Sequence, residues 1–267
     1  MLVSIQGVLG SYHDQAAREL VGQGYKPLMR DSFSEVFKDL QSDRVGMIVV
    51  ALANSLVGPI GEVYDLIRKH QFYINASYDL AIQHCLIGLD SKSKLEDIKS
   101  VSSHPMALWQ CQHWLDNNLG AAKRIESVDT AAAVEAIHSV DQVAIGSELS
   151  AKIYHRQVIA RSIQDNPNNF TRFVLLKKSI EIQPEHKRLS LVLITKNNPG
   201  SLYQALGAFA EQGINLLGLV SRPIPDQPWR YQFYIDLEVN LSSKRFLLAQ
   251  AELERQGCSI VILGSYQ

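Results

Sequence analysis

The sequence predicts an α/β protein in two parts: a two-lobed unit with a cleft between its lobes, then a compact unit of β-α-β-β-α-β order. Three observations carry this. Through the first two thirds of the chain, short apolar runs alternate with stretches of helical period, the pattern of a parallel or mixed sheet with helices on its faces. The alternating run Leu80, Ile82, His84, Leu86 starts a second round of that pattern near Tyr78. A polar stretch, Glu181 to His186 around Pro184, reads as a linker, and the elements beyond it follow the ferredoxin-like plan.

The first strand ends at Gly7-Val8-Leu9-Gly10, where glycines allow a sharp turn and Ser11 is placed to cap a helix from His13 to Val21. Ser32 with Glu35 is a capping box, and Phe33, Val36, Phe37 and Leu40 form the apolar face of the helix it starts. A buried strand, Val45 to Ala51, delivers Asn54-Ser55 to a loop. Gly58-Pro59 is expected to begin another helix, with Pro59 in its first turn and Ile60, Val63, Tyr64 and Ile67 inward. In the second lobe, Lys99 to Ser102 is a short strand ending in Ser103-His104-Pro105, and the helix from Pro105 buries Leu108, Cys111 and Leu115. Thr130 starts a helix bearing Ala133, Val134 and Ile137, and Val143-Ala144-Ile145 is a strand that breaks into a helix at Gly146-Ser147. The chain returns through Val158-Ile159 and Gln164-Asp165 to a strand at Phe173 to Leu176, expected to rejoin the first lobe. After the linker come a strand from Leu189 to Thr195, a helix from Ser201 to Gln212, strands from Ile214 to Ser221 and Trp229 to Val239, a helix from Phe246 to Gln256 and a strand from Ser259 to Leu263. The expected domains are therefore 1–180, with lobe one about 1–77 and 163–180 and lobe two about 78–162, and 187–267.

At 267 residues the chain is long enough for two cores. With 26 basic against 27 acidic residues there is no general electrostatic pull toward nucleic acid or an anionic membrane. No apolar stretch approaches the roughly 20 residues of a membrane span. Met1 to Ile5 runs directly into a strand without a leader pattern, so a soluble, cytoplasmic protein is expected. Cys85, Cys111 and Cys258 are few, odd in number and far apart, and read as reduced core residues. The eight histidines form no H-x-x-x-H pair beside a carboxylate, so no metal site is expected. His84 and Cys85 read as structural residues of a buried strand, and His104 as a helix-start residue.

Chemistry is concentrated at Asn168-Asn169-Phe170-Thr171-Arg172-Phe173, where a polar loop runs into a strand. A hydroxyl beside a guanidinium at such a mouth can donate to a departing oxygen while the planar fork holds a carboxylate. Gly10-Ser11, Asn54-Ser55, Ser103-His104 and Gly146-Ser147 each sit where a strand gives way to a helix, and their free amides suit a small anionic ligand.

These motifs in this order resemble the prephenate dehydratase family over nearly the whole chain. The resemblance rests on Gly7, Gly10-Ser11-Tyr12, Asn54-Ser55, Ser103-His104-Pro105 with Gln110-Cys111, and Asn168 to Phe173. It implies a two-lobed, periplasmic-binding-protein-like catalytic domain with no metal or organic cofactor. The implied reaction is conversion of prephenate to phenylpyruvate, water and carbon dioxide in phenylalanine synthesis. Catalytic roles fall on Thr171, Arg172, Asn54, Ser103 and Gln110, and substrate contacts on Ser11, Tyr12, Ser55, Asn169 and Phe173. The tail resembles an ACT regulatory domain. That implies phenylalanine as effector, held by Asn198, Pro199, Gly200, Ser201 and Leu202 on one side and Ser221, Arg222 and Pro223 on the other. It also implies a homodimer or homotetramer.

The chain departs from the family pattern at Ala53, where a glutamate is usual, at Met106, where a glutamine is common, and at Val220, which replaces a glutamate. Ala53 and Met106 leave room for a non-catalytic homologue that senses prephenate or an amino acid. Arogenate, with an amino group for the keto oxygen, remains an alternative substrate.

Overall fold

The computed structural model of the chain describes residues 1–22 and 24–267. They form two compact units, Met1–Gly58 with Tyr78–Phe173, and Pro59–Ser77 with Val174–Gln267. Strand β1 (Leu2–Gln6) buries Val3 and Ile5 completely. Ser11 caps α1 (Tyr12–Val21), its hydroxyl accepting from the Asp14 amide. β2 (Lys26–Arg30) runs parallel to β1. Nothing in the sequence announces this strand, because it is short, contains Pro27 and lacks an apolar run or clean alternation. The capping box holds: Ser32 accepts from the Glu35 amide at the start of α2 (Phe33–Gln41), whose Val36, Phe37 and Leu40 are buried. β3 (Ile48–Asn54) pairs parallel to β1 and is buried until its last two residues.

The helix expected from Pro59 begins later. Gly58–Pro59 form a two-residue strand, β4, and α3 (Gly61–His70) has Ile60 at its N-cap. A proline's fixed φ serves an extended residue as well as a first helical turn. β5 (Tyr73–Ala81) ends inside the run read as one strand, and β6 (Cys85–Gly88) takes up its remainder. Between them the Ile82 amide donates to Asn169 O at 2.8 Å.

The second lobe continues with β7 (Ser100–Ser103), α4 (Pro105–Gln110), α5 (Gln112–Leu119), β8 (Lys123–Glu126), α6 (Thr130–Glu135), β9 (Gln142–Gly146), α7 (Glu148–Ile153) and β10 (Gln157–Ala160). The expected single helix after Pro105 is broken at Cys111, which caps both halves. Five strands in the order β10-β6-β9-β7-β8 make a mixed sheet: β10, β6 and β9 are antiparallel, whereas β7 is parallel to β8 and β9. Alternation sends Leu86, Val143 and Ile145 to a core with Leu108, Cys111 and Leu115. Cys85, Ile87 and Ala144 go to a second core with Ala133, Val134 and Ile137. The sheet is thus covered on both faces. β11 (Phe170–Lys177) then returns beside β3, in the first lobe.

The second unit holds α3 and the elements β12 (Arg188–Ile194), α8 (Ser201–Glu211), β13 (Asn215–Pro223), β14 (Tyr231–Glu238), α9 (Lys244–Arg255) and β15 (Ser259–Tyr266). Their sheet order, β13-β14-β12-β15, is antiparallel throughout, the ferredoxin-like arrangement. Leu189, Leu191, Ile235 and Leu237 face Ala205, Phe209, Phe246 and Leu253 in one core. On the other face Tyr64 packs edge-on against Tyr234 with ring centres 4.9 Å apart, and Arg222 pairs with Asp65. No helix among the described residues is long and apolar enough to cross a membrane.

Candidate active site

Asn54 ends β3 with its orientation fixed. Its Oδ1 accepts from the amides of Leu56 at 2.9 Å and Val57 at 3.1 Å, so its Nδ2 must face β11. There its two hydrogens are shared among three acceptors, Asn169 Oδ1 at 2.8 Å, Phe170 O at 3.1 Å and Thr171 Oγ1 at 3.0 Å. A hydroxyl that already accepts keeps its own hydrogen for an outside acceptor. Thr171 is therefore set as a donor. Ser55 completes the joint: its Oγ donates to Asn168 O at 3.0 Å and accepts from the Phe170 amide at 2.9 Å, while its own amide donates to Phe170 O.

Beside this joint lies a cleft of about 340 Å³ between the lobes, lined by Leu56, Trp109, Gln110, His113, Asp165 and Asn169 among others. Asn169 is 1% exposed, and its buried Nδ2 has no hydrogen-bond partner. An unmatched buried donor is costly and marks a place for an acceptor. Asp165, the carboxylate of the lining, is engaged: its oxygens accept from the amides of His113 at 3.0 Å and Trp114 at 3.2 Å. Gln110 Oε1 lies 2.9 Å from His84 Nε2, and His84 Nδ1 lies 2.8 Å from the Tyr12 hydroxyl. Burial lowers the pKa of His84 and raises that of Tyr12 well above the usual phenol, so both stay neutral. Carboxamide side chains, those of Gln110, Gln112, Gln164, Asn166 and Asn169, supply most of the polar lining.

Other expected site residues stand elsewhere. Thr171 and Arg172 are successive on a strand and so point to opposite faces. The Arg172 fork, expected to hold a substrate carboxylate, pairs with Asp79 at two points, Nε–Oδ1 2.7 Å and Nη2–Oδ2 3.0 Å. Ser103 is fully buried and donates to Ile145 O at 2.7 Å. Ser11 is buried at its cap, where the Gly10 amide donates to Asp14 Oδ2 at 2.9 Å. The anion position at the start of α1 is thus filled by the helix's own aspartate. Ser147 caps α7 and donates to Gly10 O at 2.7 Å, tying the lobes. Of the four strand-to-helix loops, Asn54-Ser55 is the one that joins the Thr171 strand. Gly7 and Gly10 have φ of 89° and 81°, and a Cβ on either would strike Asp129 or Ser150 of the other lobe. Phe173 is buried against His13, ring centres 5.0 Å apart.

In the second unit, Asn198 to Leu202 form the turn into α8, with Gly200 left-handed at the N-cap and Ser201 Oγ donating to Asn198 O at 2.8 Å. Ser221, Arg222 and Pro223 end β13. Val220 is paired with Tyr234 and Arg222 with Gln232, which puts both on the face that carries α3. Among the described residues no group of three or more His, Cys, Asp or Glu side chains could hold a metal ion.

The prephenate dehydratase family model matches residues 3–181, which include every residue of this joint and cleft. This chain belongs to the prephenate dehydratase family. Arogenate dehydratase/prephenate dehydratase 1, chloroplastic, of Arabidopsis thaliana is 35% identical over 283 residues, spanning 99% of this chain and 71% of that one. The structure of a prephenate dehydratase from Arthrobacter aurescens in complex with L-Phe matches with TM-score 0.88 at 25% identity, covering 100% of this chain and 89% of that one. GqqA, described as a novel type of quorum quenching acylase, matches with TM-score 0.89 at 26% identity, covering 100% and 97%. Since one fold carries both descriptions, activity has to be argued from side chains. Two features of this family member were hidden in its sequence. Asp79 is 93 residues from Arg172, and the two contacts of the His84 ring do not show in strand alternation.

Proposed function

We propose that this chain is a prephenate dehydratase with the Asn54–Thr171 joint and the adjoining amide-lined cleft as its active site. The observation that carries this is the Asn54 Nδ2 to Thr171 Oγ1 bond, which leaves the Thr171 hydroxyl its own hydrogen to donate, while Asn169, held by the same Asn54 amide, keeps an unmatched donor. In the reaction the ring carboxylate leaves as carbon dioxide, its bonding pair enters the ring, and the ring hydroxyl departs and takes up a proton to become water. Aromatisation drives the elimination, so no strong acid is required. A donor hydrogen bond from Thr171 stabilises the charge growing on the departing oxygen, and neutral donors at Asn169 and Gln110 suit the anionic substrate. Orientation of the two leaving groups supplies the rest. Arg172 acts in this reading by fixing β11 against β5 through Asp79. Arogenate is the second reading, favoured by a relative whose name includes both activities.

The second unit we read as an ACT-like regulatory domain at about residues 187–267, following a catalytic domain of about 1–180. Its sheet order, the left-handed Gly200 turn and the Phe-bound structural relative support phenylalanine as effector. The assembly proposed is a homodimer or homotetramer, and three free cysteines suit a reducing, cytoplasmic setting. Incubating the purified chain separately with prephenate and arogenate, and following phenylpyruvate and phenylalanine, tests the reading. Phenylpyruvate formed from prephenate supports it, and no product from either substrate contradicts it.

A further inference from the structure

His84, expected in a buried strand, lies instead in the connection between β5 and β6, where it is buried and both of its ring nitrogens are engaged by residues of the site. We propose that His84 is a positioning residue, held at Nδ1 by Tyr12 and gripping the carboxamide oxygen of Gln110 through Nε2, so that the Gln110 NH2 is turned toward the cleft. This rests on the dehydratase reading of that cleft.

The argument is a count of hydrogens. Tyr12 has one hydroxyl hydrogen and two acceptors within range, His84 Nδ1 at 2.8 Å and Gln83 O at 3.0 Å. Directed to Nδ1, it leaves the neutral ring protonated at Nε2, and that N–H donates to Gln110 Oε1 at 2.9 Å. The other end of the carboxamide is then a donor on the side of the cleft that Gln110 lines. Directed instead to Gln83 O, it requires Nδ1–H, a bare Nε2 and a reversed Gln110 amide whose oxygen faces the cleft. An anionic substrate is repelled by that oxygen and attracted by the NH2, so only the first arrangement serves the site. The His84 amide is itself fixed, donating to Gln164 Oε1 at 3.0 Å, and the residue is 2% exposed, so the imidazole is shielded from water. Tyr12 meets the ring edge-on with centres 5.6 Å apart, which suits a hydroxyl bond in the plane of the imidazole.

The test has a spectroscopic arm and a kinetic arm. Long-range proton–nitrogen correlation spectra of histidine-labelled protein are expected to show His84 as the Nε2–H tautomer, and Tyr12→Phe to shift it toward Nδ1–H. In steady-state kinetics with prephenate, His84→Leu is expected to raise KM about tenfold with a smaller change in kcat, while His84→Gln, which can still hold Gln110, stays close to the unsubstituted KM. In a Gln110→Ala background, His84→Leu should have no further effect. An Nδ1–H tautomer in the native protein overturns the proposal, as does an equal rise in KM in the Gln110→Ala background. A native protein that shows the Nε2–H tautomer but converts no prephenate supports the positioning role and defeats the dehydratase reading instead.

Discussion

A cleft in the first unit and a larger groove in the second differ in how their polar groups are satisfied, and the proposed chemistry belongs to the cleft. The cleft in the first unit is about 340 Å³, while a groove in the second unit beside α3 and β14 is about 760 Å³. Two charged side chains of the groove already have partners. Arg68 donates to Gln232, and Asp65 pairs with Arg222. The cleft has no free carboxylate and no pairing of that kind: Asp165 is held by two backbone amides, while Asn169 keeps a buried donor without a partner. Volume measures room, whereas an unmatched donor measures unfinished bonding, and a ligand is drawn by the second.

The largest test of that contrast is at Thr171. Thr171→Val keeps the shape and removes the donor, and turnover of prephenate is expected to fall by a factor on the order of 10² to 10³. Thr171→Ser should retain most activity. Equal turnover by the valine variant would remove the hydroxyl from the mechanism. A smaller effect is expected at Arg172: loss of the two-point pair with Asp79 in Arg172→Lys should lower kcat/KM about tenfold, because an ammonium cannot reproduce the planar fork. Asp79→Asn should cost about as much, and the double variant little more, as for two residues in one interaction. If Asp79→Asn tightens substrate binding instead, Arg172 is a carboxylate holder restrained by Asp79.

Acid should act on the core of the first unit around His13. Burial lowers the His13 pKa from 6.5 to about 4, and the neutral ring accepts from the Ala51 amide at 3.3 Å. Between those values the unfolded chain binds a proton at His13 that the folded chain does not. Stability is therefore expected to fall as pH drops from about 6.5 toward about 4, with the loss complete below that. His84, also lowered by burial, acts in the same direction. Denaturant titrations at pH 7, 5.5 and 4 measure the effect, and His13→Gln should flatten it. The smallest effect belongs to the groove, where Lys69→Ala is expected to leave kcat within about twofold, as for a surface change away from the chemistry. A large loss there would move the site.

Much of the first unit was legible because its signals are local. The Ser11 cap, the Ser32–Glu35 box and the loop-to-strand passage at Asn168 to Phe173 depend on neighbours in sequence. The β-α-β-β-α-β order was legible for the same reason. β2 was not, since five half-exposed residues with a proline carry no period. Pro59 misled because its φ fits two states, and the break at Cys111, a buried apolar position, carries no glycine or proline to announce it. At the site, the sequence pointed to Asn54, Thr171 and Asn169 but paired Thr171 with its neighbour Arg172. Strand alternation separates those two, and the partner that takes up Arg172 comes from a distant strand.

The most direct measurement is a titration of nitrogen-labelled protein with phenylpyruvate, following side-chain NH2 resonances of asparagine and glutamine. The account predicts that Asn169 and Gln110 shift together on binding and that Gln232, in the groove, stays in place. A shift of Gln232 with Asn169 and Gln110 unmoved would contradict it.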